Sequence, residues 1–204
     1  NPQNNCGEIV ITRCLILDMG NTQSRKYEEY VYVLSFEERG KSTTVRGRSG
    51  IIVTAIGEQK LTLLEILGTE NTEFEIGERL YIGKDGRTKI QSVLGKMYYA
   101  KISESAKNEI PGIVELIVRK NEKNYVDYLN NAQPLTPRIH ALELIPGIGK
   151  TYLNVILEER EKKQFESFSD VEKRVHLKEP ITHISKRILE EISGETRINI
   201  FVKR

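Results

Sequence analysis

The sequence predicts an α+β protein: a small OB-like β-barrel, then an all-α paired helix-hairpin-helix unit, then a C-terminal strand that returns to the β domain. Three observations carry that expectation. Between residues 28 and 103 the chain alternates with a period near 2 and is cut by glycines. After Ser103 the apolar residues recur with a period near 3.6. Finally, a tight Pro-Gly-Ile-Gly turn at residues 146–149 separates two helical stretches.

Residues 1–27 form an N-terminal extension: polar at the start, apolar over 9–17 where the pattern fits one added strand, and polar again over 21–26. The β domain follows over 28–103. Residues 30–34 are β-branched and aromatic; the run 51–56 ends at Gly57, and the run 61–67 ends at Gly68. Residues 57–60 are short enough to join the second and third runs as a hairpin. Runs at 79–82, 90–94 and 97–102 are bracketed by Gly77, Gly83, Gly86 and Gly95, so five or six short strands are expected. Lys41, Arg46 and Arg48 lie in the polar loop between the first two strands, where such barrels contact single strands; incidental charges on a solvated loop are the alternative. Tyr98 and Tyr99 fall on opposite faces of the run 97–102, so that one could be exposed and stack on a base, but surface or core filling is the preferred reading for both and for Tyr32.

A helical connector spans 104–133, started or interrupted by Pro111 and Gly112. The hairpin unit takes 134–194. Thr136 before Pro137 reads as an N-cap and first-turn pair, Ser169 with Glu172 has capping-box spacing, and a helix over 180–192 should stop at Gly194. Residues 195–204 alternate like a strand, and without a local partner that strand should return to the sheet.

Bulk properties narrow the function. With 38% hydrophobic and 29% charged residues the chain folds, and 204 residues suffice for a sizeable core. Lysine and arginine number 31 against 29 acidic residues, so a basic surface arises only from how charges segregate in space. No apolar run reaches the ~20 residues of a membrane span and no signal peptide is visible, giving an expectation of no membrane association and a cytoplasmic address. Cys6 and Cys14, the two cysteines, exclude a disulfide scaffold and a cysteine-built zinc site. His140, His176 and His183 lack metal-ligand spacing; His140, just before the turn, fits a packing or capping role. No nucleophile, base or paired-carboxylate set can be assembled, so neither catalysis nor a cofactor is expected.

The segment Leu142-Glu143-Leu144-Ile145-Pro146-Gly147-Ile148-Gly149-Lys150-Thr151 carries the chemistry. Leu142 and Ile145 end one helix on its buried side. Gly147 and Gly149 let the chain turn tightly and bring backbone N–H groups to the next helix start, where unpaired amides and the positive helix end bind anions. Lys150 adds a point charge and Thr151 a hydroxyl. A nucleotide-binding P-loop is excluded, because its spacing needs glycine where Leu144 stands and a strand where a helix is predicted. The candidate nucleic-acid contacts are therefore Pro146, Gly147, Ile148, Gly149, Lys150 and Thr151, with Lys41, Arg46 and Arg48 from the loop.

This string resembles helix-hairpin-helix modules. Together with the stretches at 28–34, 55–67 (AIGEQKLTLLEIL), 132–161 and 165–175 (FESFSDVEKRV), it is similar to an archaeal family of uncharacterised, predicted RNA-binding proteins. The resemblance covers nearly everything after Glu28. It implies a β domain, a paired helix-hairpin-helix domain and a nucleic-acid ligand, RNA more than DNA, with no reaction. A second hairpin would fall within 175–192, where His176-Leu177-Lys178-Glu179-Pro180 replaces the Gly-x-Gly turn. That unit is expected to be chiefly structural, with Lys178, Lys186 and Arg187 as auxiliary charges. The competing expectation is an assembly factor whose hairpins dock on a protein partner within a nucleoprotein complex.

Overall fold

The computed structural model describes residues 27–203, so the extension expected over 1–27, with its added strand, lies outside the described residues apart from Tyr27. Five antiparallel strands follow: β1 (Tyr30–Lys41), β2 (Ser49–Gly57), β3 (Leu63–Gly68), β4 (Arg79–Tyr81) and β5 (Ile90–Lys96), in the order β4-β1-β2-β3-β5. Alternation along these strands serves two cores. Val31, Val33, Val53, Ala55, Leu64 and Ile66 face inward onto Phe74, Leu80, Ile82 and Ile90. Tyr32, Leu34, Ile56 and Leu63 face outward and join the larger core under the helices. Register shifts after Val33, Glu37, Glu65 and Leu67 add bends that curl the sheet.

The expected small OB-like barrel is observed as an open half-barrel, with β4 and β5 as its two edges. The reason is length. Strand β4 has three residues, and the run expected as a strand over 97–102 leaves the sheet at Lys96 for a 3-10 turn, Tyr99–Lys101. Tyr98 and Tyr99 therefore do not alternate across a strand. Tyr98 is 78% exposed, and Tyr99 packs on the larger core.

Ser103 starts α1 (Glu104–Lys120), its hydroxyl accepting from the Ala106 N–H at 3.2 Å. The helix runs straight through Pro111, a residue that costs about 3 kcal/mol in a helix interior. Buried Ile110, Ile113, Val114, Ile117 and Val118 hold it on both sides of the proline, while Pro111 and Gly112 face solvent. α2 (Glu122–Asn131) follows.

Thr136 and Pro137 do not start a helix. They turn a two-stranded hairpin, β6 (Pro134–Thr136) and β7 (Ile139–His140), in which the Thr136 hydroxyl accepts from the N–H groups of Arg138 and Ile139. The expected helix ahead of the glycine turn shrinks to a 3-10 segment, Ala141–Leu144, before α3 (Lys150–Lys162), α4 (Phe168–Val175) and α5 (Pro180–Ser193). The cap of α4 is Ser167, bonded to the Asp170 N–H, two residues earlier than expected; Phe168, Val171 and Val175 then point into the core. Gly194 ends α5 at φ +83, as its position in the sequence predicts.

Among the described residues the C-terminal segment forms no strand, which corrects the expected return to the sheet. Its backbone donors go elsewhere. The Glu191 carboxylate, 1% exposed, accepts from the N–H groups of Ile200, Phe201 and Val202 at 2.8, 2.9 and 2.8 Å and from Arg187 Nε at 2.9 Å. Arg187 also donates to the Ile198 carbonyl at 2.5 Å, and Phe201 sits edge-on to Tyr125 and Tyr128. A ladder cannot form where a carboxylate takes three consecutive amides. Burial, with the nearby Glu191 charge, pushes the Tyr125 hydroxyl well above the usual phenol range. One backbone bond, Lys203 N–H to the Lys60 carbonyl at 3.3 Å, reaches the turn between β2 and β3.

Candidate nucleic-acid interface

Residues 145–148 close a four-residue turn through a hydrogen bond from the Ile148 N–H to the Ile145 carbonyl, 3.0 Å. Proline at the second position and Gly147 at φ +89 in the third are the chemistry of a type II turn. Ile145 and Ile148 are buried and anchor the turn, whereas Gly147, Gly149, Lys150 and Thr151 are exposed. Apolar anchors below and glycines above leave the backbone at the surface.

Helix α3 opens there. Gly149 is its N-cap, with φ −85 and ψ −177, and no side chain caps the helix. The first helical bond is donated by the Leu153 N–H to the Gly149 carbonyl at 2.9 Å, so the amides of the first turn are the donors that a helix start leaves over. No acidic residue occupies that first turn, and the positive end of the helix is not neutralised by its own side chains.

The two glycines have different jobs. A Cβ on Gly147 would lie 2.5 Å from Nδ1 and Cε1 of His183, and its φ is one that side chains rarely adopt. A Cβ on Gly149 would meet nothing within 4 Å. Gly147 is thus required by the fold, while Gly149 leaves room at the helix mouth that the fold does not use.

The turn between α4 and α5 has a related shape and opposite chemistry. His176 is left-handed at φ +59, where Gly147 stands in the first turn, and buried Leu177 follows as Ile148 does. Glu179 is then the N-cap of α5, also left-handed, and Pro180 supplies no N–H. A carboxylate and a missing donor make this second mouth a poor place for an anion. Of the auxiliary charges, Lys178 and Lys186 are exposed, but Arg187 is buried and engaged by Glu191.

Lys41, Arg46 and Arg48 are exposed, but Lys41 is the last residue of β1, paired with Ser49, and not part of the loop as expected; the loop that carries Arg46 and Arg48 is held by a residue sequence reasoning missed. Glu65 on β3, 1% exposed, accepts from Ser42 Oγ at 2.5 Å, from the Thr43 N–H and hydroxyl at 2.9 and 2.8 Å, and from the Thr44 N–H at 3.1 Å and hydroxyl. Burial pushes its carboxyl up, yet these bonds from Ser42, Thr44 and Thr43 outweigh burial and hold it at about 2. The basic loop is anchored to the sheet and the glycine turn to α5, so the two groups of predicted contacts belong to separate anchors. No signal in the sequence joins Glu65 to Ser42, or His183 Nδ1 to the Pro146 carbonyl it meets at 2.8 Å, because each contact spans more than twenty residues.

His140 plays the expected capping role. Its Nδ1 accepts from the Leu142 N–H at 3.1 Å while the Glu143 carboxylate accepts from the His140 N–H at 2.8 Å. Burial, aided by the Arg160 charge and opposed by Glu143, lowers its affinity for a second proton. Among the described residues no group of three or more histidine, cysteine or acidic side chains is placed to hold a metal, and no helix is long and apolar enough to cross a membrane.

Comparison with known proteins places this architecture. A protein of Methanocaldococcus jannaschii described as uncharacterized protein MJ0038 is 38% identical over 181 residues, 88% of this chain and 82% of that protein. The crystal structure of Af1531 from Archaeoglobus fulgidus, assigned in its own description to DUF655, superposes with a TM-score of 0.76 at 36% identity, covering 86% of this chain and all of that one. Residues 27–203 match the family described as "Protein of unknown function (DUF655)". With relatives of this similarity on both sequence and fold, the chain belongs to the DUF655 family.

Proposed function

We propose that this protein is a non-enzymatic nucleic-acid binder that grips backbone phosphates at the mouth of α3. The observation that carries the reading is the uncapped, exposed start of that helix, with Lys150 and Thr151 beside it and the open space at Gly149 in front. Pro146, Gly147 and Ile148 shape the turn; the amides of Gly149, Lys150 and Thr151 receive the phosphate. In this reading residues 134–194 are a paired helix-hairpin-helix unit whose second turn is structural. The half-barrel is the OB-like partner, with Lys41, Arg46 and Arg48 adding contacts to a single strand. RNA is favoured over DNA by the family resemblance, and the working compartment is the cytoplasm.

Amide and lysine contacts with phosphate read no base, so binding is nearly sequence-independent and strongly salt-dependent. The expected result with a single-stranded RNA oligonucleotide is a linear fall of log affinity with log salt concentration. Replacing Lys150 by alanine should make that slope shallower by about 0.7, one single-strand phosphate contact. Affinity indifferent to salt, together with a stoichiometric protein partner retained after nuclease treatment, would favour the docking-factor reading instead.

A further inference from the structure

We infer that His183, on the second hairpin, is a positioning residue for the phosphate site of the first; the inference rests on the reading proposed above. In a type II turn the central peptide is flipped relative to type I, so the Pro146 carbonyl points away from the turn's own hydrogen bond and needs another partner. His183 Nδ1 lies 2.8 Å from that oxygen. A carbonyl only accepts, so Nδ1 carries the proton and the bond runs from the imidazole to Pro146. Nδ1 is thereby committed to the turn and does not donate to a phosphate oxygen. This argues for holding the turn over touching the ligand.

The ring also lies against the turn itself, 2.5 Å from where a Gly147 Cβ would stand. Bond and packing together fix the Pro146–Gly147 peptide in one of its two orientations. The Gly149, Lys150 and Thr151 amides follow directly in the chain, so a turn free to flip would present them in more than one arrangement, and a preorganised donor set binds better than one that must be ordered. The second hairpin, with Glu179 and Pro180 at its own mouth, thereby contributes to binding without contacting phosphate.

Two variants separate holding from touching. His183→Ala removes the bond, whereas His183→Asn places an amide N–H near the position of Nδ1 and supplies nothing in place of Nε2. With the single-stranded RNA oligonucleotide, His183→Ala should bind about fivefold more weakly, the worth of one hydrogen bond, and His183→Asn should recover most of that loss. Hydrogen exchange of the Ile148 amide, which closes the turn, should quicken in His183→Ala and return toward the native rate in His183→Asn. Native affinity and exchange in His183→Ala would overturn the inference, as would His183→Asn being impaired as severely as the alanine variant. If the native protein binds no RNA, the proposed function fails, and the Ile148 exchange rates still decide whether His183 holds the turn.

Discussion

Gly149→Asp is expected to leave the fold intact, raise its stability slightly and remove most nucleic-acid binding. The backbone at 149 is extended, with φ −85 and ψ −177, which aspartate adopts at helix starts, and a Cβ added there meets nothing within 4 Å. Its carboxylate would accept from the first-turn amides of α3 and sit at the positive helix end, a gain of a few tenths to about 1 kcal/mol. The same carboxylate would occupy the donors proposed for phosphate and repel the ligand, so affinity should fall by roughly a hundredfold, since a charged hydrogen-bonding site is both filled and reversed in sign. Thermal midpoint and RNA affinity measured on one preparation check both halves. A more stable protein that binds RNA normally would place the ligand elsewhere.

Glu191→Ala is the substitution with the largest expected effect on stability. It removes the acceptor of four hydrogen bonds and leaves the Arg187 guanidinium, itself buried, without its closest anion. Removing one partner of a buried ion pair costs about 3–5 kcal/mol. The segment from Thr196 to Val202 would lose its three amide anchors, and Phe201 would lose its fixed seat against Tyr125 and Tyr128. Urea unfolding should show the lowered midpoint, and limited proteolysis should cut this segment first. A loss below about 1 kcal/mol, the scale of an exposed pair, would mean that the carboxylate does not organise it.

These expectations draw on features of unequal visibility in the sequence. The change of period at Ser103 separated sheet from helices because burial on one face imposes a repeat on every element long enough to show it. Proline, glycine and buried apolar neighbours marked the turn at 145–149 for the same local reason, and Gly194 marked the end of α5. Closure of the barrel was not legible, since it depends on how far β4 and the chain after Lys96 continue in space. Thr136-Pro137 supports a helix start and a hairpin turn equally well, so only the surrounding fold decides between them. The alternation over 197–202 suggested a strand, yet its amides are claimed by one carboxylate whose place on α5 the pattern does not reveal. Gly147 and Gly149 looked equivalent and are separated by the left-handed backbone at Gly147 and by the His183 ring packed against it. Short-range signals marked the turn proposed as the contact segment; the side chains that hold it in place act across the chain.

The most direct measurement is a backbone amide NMR titration of the full chain with a single-stranded RNA oligonucleotide at low salt. The amide resonances of Gly149, Lys150 and Thr151 are expected to move early and saturate with the binding curve, as the N–H groups proposed to receive the phosphate. Saturable binding in which these three resonances stay still while others move would contradict the proposal.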